Sequence, residues 1–347
     1  MQKNIINSID FHNLPEDEYR EENIMLSLNE NAYGCSKKVT EALKKEMIFS
    51  KYPDDNCTKL RNKISKVLNV DPNNILIGNG SGEILQIISR TYIEEDDEVI
   101  TCVPTYPYYF IETVIEKGKL ITVPLKHQKF DIDGIINAIT NKTKIIYITN
   151  PNNPTGTIIT KEEQSKLINS VRKDILIVFD EAYYEYVSSK EFPNTIDDIK
   201  KHENVCLLRT FSKAYGLASM RIGYLIAKKP IIENLNKVRL TFNVSQLSQI
   251  TAIAALDDQT FIEECREKNN ELKQYLYDKL DTLNIKYTNS ESNFVFIEVN
   301  NNIIKEMQKE KISVKSYDYN KKQYIRLSIG LKKELDKVIS VIRNSVQ

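Results

Sequence analysis

The chain has 347 residues, enough for one large domain and a smaller one, each with its own core. Lys+Arg and Asp+Glu both number 48, so the net charge is zero and bulk electrostatics argue against nucleic-acid and acidic-membrane partners. Five cysteines without a C-x-x-C pair, three histidines apart from them and no stretch of roughly 18 apolar residues argue against a disulfide framework, a metal site and a membrane span; the expectation is a soluble cytoplasmic protein.

Residues 1–25 are polar and mixed, with Pro15 and a run of acids through Glu22. The stretch Leu26-Ser27-Leu28-Asn29-Glu30-Asn31-Ala32-Tyr33-Gly34 is a short apolar alternation that breaks into a turn. Val39, Leu43 and Met47 recur at helical spacing, so the pattern predicts a helix over 36–49 that Ser36 can cap. After Lys51-Tyr52-Pro53-Asp54-Asp55 a second amphipathic helix is expected over 57–69. Short apolar runs then appear near 75–77, 98–103, 119–123, 144–149, 175–180, 205–208 and 222–227, with amphipathic stretches between most of them. Runs without alternation are what strands covered on both faces look like, which predicts an α/β domain around a mostly parallel seven-stranded sheet. Helices are expected near 230–240 and 245–257, with one long helix over 260–283. Apolar runs at 294–299 and 323–329 alternate with helical segments and predict a separate small α+β domain. The expected division is 1–40 as an N-terminal arm and part of the small domain, 41–258 as the large domain and 259–347 as the small one.

Ligands of such sheets collect beyond the carboxyl ends of the strands, and the chemistry-bearing residues sit there. Ile77-Gly78-Asn79-Gly80-Ser81-Gly82-Glu83 closes the first run with three glycines and a helix start, which is either a tight βα turn or an anion site. Pro104-Thr105-Tyr106-Pro107-Tyr108-Tyr109 is a rigid aromatic turn from which Tyr106 is singled out as a flat stacking face. Asn150-Pro151-Asn152-Asn153-Pro154-Thr155-Gly156 presents amide side chains in a pre-set loop. Asp180 ends a run of five apolar residues, where a desolvated carboxylate needs a cation or strong donor, unless it only caps the next segment. In Thr210-Phe211-Ser212-Lys213-Ala214-Tyr215-Gly216, with Arg221 eight residues after the lysine, hydroxyls, an amine and a guanidinium can converge on one anion beside a nucleophilic amine, whose pKa must be depressed by burial or by a cationic neighbour such as Arg221. Taken alone, Ser-Lys is also what a surface lysine beside capping hydroxyls looks like. Arg326, alone inside the apolar run Tyr324 to Ile329, requires either a substrate carboxylate or an internal ion pair.

These motifs, in this order, resemble those of the fold-type-I aminotransferases that use pyridoxal 5′-phosphate, and within them the histidinol-phosphate aminotransferase family. The resemblance covers nearly the whole chain, from the LNENAYG loop through KYPD, GNGSGEI, PTYPYY, NPNNPTG, VFDEAYYEY, RTFSKAYGLASMRIGY and SNFVF to IRLSIG. It implies that Lys213 carries the cofactor as a Schiff base and, once freed by substrate, shuttles the proton. Asp180 would pair with the pyridine nitrogen, Tyr183 and Asn153 would bond the phenolic oxygen, and Tyr106 would stack on the ring. Phosphate would be held by Ser81, Gly82, Thr210, Ser212 and Arg221, and by Tyr52 from a neighbouring subunit, so a homodimer is implied. Arg326 and Asn153 would contact the substrate. The implied reaction moves an amino group between a small-molecule donor and a keto acceptor, histidinol phosphate and 2-oxoglutarate in histidine biosynthesis. An aromatic aminotransferase, a threonine-phosphate decarboxylase or an amino-acid oxidase on the same core is the alternative. Two departures bear on substrate: Lys315 stands where the family usually has an arginine that reads the phosphorylated substrate, and Leu14-Pro15-Glu16-Asp17 stands where many members have Tyr-x-Pro-Gly. Gly82 replaces a residue that is commonly acidic in the family.

Overall fold

The computed structural model describes residues 23–44 and 49–346; the Leu14 to Asp17 segment and Met47 of the expected first helix lie outside them. After β1 (Ile24–Met25), the Ser36 hydroxyl accepts the Lys38 N–H and starts α1 (Lys37–Leu43). Helix α2 (Thr58–Leu68) follows, close to its expected limits.

The alternation then unfolds as β2 (Ile75–Gly78), α3 (Gly80–Tyr92), β3 (Glu98–Val103), α4 (Tyr108–Ile115), β4 (Lys119–Pro124), α5 (Ile132–Asn137), β5 (Thr143–Thr149) and α6 (Lys161–Ser170). It continues through β6 (Leu176–Asp180), α7 (Thr195–Lys201), β7 (Val205–Thr210) and β8 (Gly223–Ile226). The seven strands β2 to β8 form one sheet in the order β2-β8-β7-β6-β5-β3-β4. Only β8 runs antiparallel to its neighbours, so the sheet is mostly parallel.

Side chains alternate across each strand and feed two cores. Ile146, Ile148, Ile177 and Phe179 pack on the face covered by α2, α5 and α6, whereas Ile145, Tyr147, Leu176 and Val178 pack on the face covered by α3, α4 and α8 (Lys229–Val238). Burial of each such side chain contributes about 1.5–3 kcal/mol, which anchors β6 firmly enough to carry a desolvated carboxylate at its end.

Helix α9 (Gln246–Leu256) leads into the long α10 (Gln259–Thr282). Ile262 of α10 joins the sheet core, while its Leu276, Tyr277 and Leu280 join a third core with Leu26, Val295, Ile297, Ile325 and Leu327. That core sits on a four-stranded antiparallel sheet made of β9 (Tyr287–Thr288), β10 (Phe294–Val299), β12 (Lys315–Tyr319) and β13 (Lys322–Ser328), in the order β12-β13-β10-β9. Helices α11 (Asn301–Lys309) and α12 (Lys332–Val346) cover it, and β11 (Ile312–Ser313) pairs with β1 in parallel. The first described residues therefore belong structurally with the last third of the chain. All five cysteines are free, and among the described residues no helix is long and apolar enough to cross a membrane.

Candidate active site

Parallel strands bring their carboxyl ends to one side of the sheet, and there β5, β6 and β7 open on a cavity of about 250 Å³. Of the residues expected at a site, Ser81, Tyr106, Asn153, Asp180, Tyr183, Thr210, Ser212, Lys213, Arg221 and Arg326 all line it. A hollow of about 680 Å³ elsewhere, beside Asp281 and Lys286, is larger but brings no buried amine, carboxylate and guanidinium together.

At the floor, Asp180 is only 3% exposed. Its Oδ1 accepts the Ala182 N–H at 3.2 Å and its Oδ2 accepts the Tyr109 hydroxyl at 2.8 Å. Burial raises its pKa to about 6 against those two donors, so it is an anion near neutrality that lacks a cationic partner among the described residues. The neighbouring Glu181 points away, into a buried ion pair with Arg209 at 2.7 Å, so the adjacent acids do not share a role.

Lys213 donates from Nζ to the Leu28 carbonyl at 2.7 Å. Its pKa falls to about 7, first through burial, then through the Arg326 charge, with Arg221 contributing least and Glu30 opposing. Sequence reasoning names Arg221 as the depressing cation; the structure gives that part chiefly to Arg326, because the small antiparallel sheet closes over the amine. At neutral pH about half of this amine is the free base, the form that attacks a carbonyl. The loop carrying Leu28 is braced by Asn31 Nδ2, which donates to the Ala214 carbonyl at 2.7 Å. Gly216 makes that approach possible: its φ is +66°, and a Cβ there would lie 1.9 Å from the Gly34 carbonyl oxygen. Gly216→Ala is therefore expected to lower stability by about 2 kcal/mol or more, from backbone clash and a left-handed alanine, readable as a fall in Tm.

One end of the cavity is built around Arg221, itself left-handed at φ +48°. Its Nη1 reaches Ser212 Oγ at 3.4 Å, and Ser212 Oγ also accepts from Thr210 Oγ1 at 3.0 Å. Gly80 has φ +79°, a conformation that strains any side chain, and a Cβ there would displace the Arg221 guanidinium, whose Nη2 would lie 2.6 Å away. Gly82 is open, a Cβ there meeting nothing within 4 Å, and it does not line the cavity.

On the opposite wall, Tyr183 Oη accepts from Asn29 Nδ2 at 3.0 Å and from Asn153 Nδ2 at 3.4 Å. Burial pushes its pKa to about 12, against the Arg326 charge. Arg326 is 7% exposed; its Nη1 donates to Asn153 Oδ1 at 2.6 Å, its Nη2 donates to the Ser27 carbonyl, and its Nε is buried without a partner. No carboxylate pairs with it among the described residues, so the internal ion pair considered from sequence is absent there.

Besides Gly82, two expected residues stand outside the cavity. Lys315 is exposed on β12, directly across the ladder from Arg326. Tyr52 is 80% exposed and stacks on Phe242 at 4.4 Å. Sequence reasoning missed Asn29, Thr149 and Tyr109; the LNENAYG loop was the available signal for Asn29, and nothing local distinguishes Tyr109 from its aromatic neighbours.

Fold and site together define an aminotransferase. The family described as "Aminotransferase class I and II" matches residues 21–342, and the chain belongs to that family, whose members depend on pyridoxal 5′-phosphate. Within it, the chain is 39% identical over 328 residues to histidinol-phosphate aminotransferase 1 of Bacillus cereus, covering 93% of this chain and 89% of that one. It is 40% identical over 325 residues to the histidinol-phosphate aminotransferase of Caldicellulosiruptor saccharolyticus, covering 92% and 91%. The histidinol-phosphate aminotransferase of Sinorhizobium meliloti, solved with pyridoxal 5′-phosphate, superposes with a TM-score of 0.90 at 26% identity, over 99% of this chain and 97% of that one.

Proposed function

We propose that this aminotransferase exchanges the amino group of histidinol phosphate with 2-oxoglutarate in histidine biosynthesis, using pyridoxal 5′-phosphate held in the cavity under the small sheet. One observation carries the reading: Lys213, a buried amine with a depressed pKa, lines one cavity with a buried, cation-free carboxylate, Asp180, and with two guanidinium groups, Arg221 and Arg326, that have no carboxylate partner among the described residues. The cofactor fits that donor set. Its phosphate dianion would be held by Ser81, Thr210, Ser212 and Arg221, its ring cation by Asp180 and its phenolic oxygen by Tyr183 and Asn153, with Tyr106 offering the stacking face. When bound, it supplies an aldehyde for amino-group transfer and an electron-withdrawing ring that makes the substrate's α-proton removable.

The protein's residues do the rest. Lys213 would hold the cofactor covalently and, when free, would accept and return the substrate's α-proton as a base. Asp180 would keep the ring nitrogen charged. Arg326 grips the carboxylate of the amino donor, glutamate, with Asn153 locking its fork. For the phosphorylated substrate, Arg326 and Lys315, directly opposed across the β12–β13 ladder, put two positive charges on the same face of the small sheet. The identity and extent of the histidinol-phosphate aminotransferase relatives support this choice. The test is a half-reaction: the cofactor-loaded protein mixed with histidinol phosphate is expected to convert to the amine form, monitored by absorbance. Conversion by phenylalanine with none by histidinol phosphate would redirect the reading to an aromatic aminotransferase.

The apo protein should capture cofactor aldehyde faster as pH rises through about 7, because only unprotonated Lys213 attacks and its depressed pKa puts that form in reach. Stopped-flow capture rates from pH 5.5 to 8.5, about one and a half units either side of that pKa, check this. A rate that climbs only above pH 9, about the range of an ordinary lysine, would contradict it.

The proposal includes a cytoplasmic homodimer and the division into an arm with part of the small domain (1–40), a large domain (41–258) and a small one (259–347). Tyr52, Phe242, Leu240 and Phe49 together leave an exposed apolar patch, the kind of surface a second copy covers. From there Tyr52 would reach the neighbour's phosphate. Tyr52→Phe should loosen the cofactor by about 1.5–3 kcal/mol, the worth of one hydrogen bond to a charged group, measured by equilibrium dialysis. A fully active monomer in sedimentation velocity would defeat the shared site.

A further inference from the structure

We propose that Tyr109 is a positioning residue for Asp180: its phenol, backed by Thr149, selects the ionised carboxylate and aims it into the cavity. The inference rests on the reading that Asp180 meets the cofactor's ring nitrogen. Tyr109 lies in the first turn of α4 and is 1% exposed. Its ring is clamped face to face on Tyr147 at 4.5 Å and 5°, and edge-on to Tyr106 at 5.7 Å.

Counting hydrogens sets the direction of the whole row. A phenol has one hydrogen, and Tyr109 gives it to Asp180 Oδ2 at 2.8 Å. The 2.8 Å contact between Tyr109 and Thr149 must therefore be donated by Thr149. Thr149 has then spent its own hydrogen, so its 3.0 Å contact with Thr105 is received, and Thr105 divides one hydrogen between Thr149 and Asn152 Oδ1 at 2.8 Å. Thr149 and Tyr109 thus each pass a donor toward the carboxylate. Asp180 Oδ1 is already taken by the Ala182 N–H. A protonated Asp180 could give its hydrogen to Tyr109 only by reversing the hydroxyls of the row, whereas the anion accepts from both Tyr109 and the Ala182 N–H in charge-assisted bonds, which are the stronger ones.

That selectivity is needed because burial acts the other way, lifting the Asp180 pKa to about 6. Tyr109 is suited to oppose it: the two ring contacts fix its torsions, so the hydrogen bond costs little further side-chain entropy. Phenylalanine keeps the clamp and removes only the hydrogen.

The experiment measures binding of pyridoxal 5′-phosphate to the apo protein as a function of pH, beside a carbocyclic analogue in which carbon replaces the ring nitrogen. Tyr109→Phe should weaken the natural cofactor about tenfold or more, while the analogue, which has no ring cation to meet, should change by no more than about twofold. The acid edge of cofactor binding should move up by about one pH unit. Thr149→Val, which leaves Tyr109 in place, should shift the same edge in the same direction by less. Equal losses for both ligands would make Tyr109 a packing residue, and an unmoved acid edge in both variants would also overturn the proposal. Failure of the underlying reading looks different: Asp180→Asn would then leave both ligands bound as in the wild type.

Discussion

Lys213→Ala is expected to abolish amino-group transfer, lowering turnover by about four orders of magnitude or more, while the protein stays folded and binds cofactor without a covalent bond. The size follows from one amine serving two purposes, covalent carrier and proton-moving base. Folding should survive because the side chain makes one hydrogen bond, to the Leu28 carbonyl, and carries a pKa lowered by its own burial. Removing a desolvated cation relieves a cost as well as losing a contact. A single-turnover assay with a thermal melt checks both halves. Transfer at more than about a hundredth of the wild-type rate would move the base elsewhere.

Asp180→Asn carries the second largest effect, a fall in turnover of about a hundred- to a thousandfold, on the scale of removing a preorganised charge from a buried site. The change is nearly isosteric: the amide oxygen can keep the Ala182 N–H, and the amide N–H can donate to the Tyr109 hydroxyl once that hydroxyl turns its hydrogen to Thr149, so the loss reports the charge rather than the packing. Only the wild type can offer an anion there, and its pKa of about 6 means that the anion is present at neutral pH and lost as pH falls through that value. Single-turnover rates at saturating substrate should fall in the variant at every pH. In the wild type they should fall on the acid side only.

The large sheet was legible because its strands are covered on both faces and read as continuous apolar runs, as in Leu176 to Phe179. Strand β12 was not. Its sequence Lys-Ser-Tyr-Asp-Tyr is polar with three exposed positions, and it is held as a strand by pairing with β13 rather than by its own pattern. The β1 to β11 pairing was equally hidden, since two residues at each end of the chain cannot announce a parallel partner almost 290 positions away. At the site, the motifs gave the residues at strand ends, because glycine, proline and lone charges in apolar runs are conspicuous. What closes the site was only partly legible, Arg326 as a lone charge in an apolar run and Asn29 not at all. Arg326 and Asn29 come from the small sheet and the N-terminal loop, and their meeting with Tyr183 and Asn153 depends on tertiary packing. For the same reason the fall in the Lys213 pKa was traceable to a cation from sequence but not to the right one.

Borohydride reduction of the cofactor-loaded protein, followed by peptide mapping, tests the central claim most directly. Among the described residues two lysines have pKa values depressed by burial, Lys213 to about 7 and Lys273 to about 8, so a free amine alone does not choose between them. Lys213 faces Asp180 and Arg221 across the same cavity, whereas Lys273 lines a separate hollow with Glu291 and Ser290. The account predicts stoichiometric attachment of the cofactor to the peptide carrying Lys213. Attachment at Lys273, or at any other lysine with Lys213 unmodified, would contradict it.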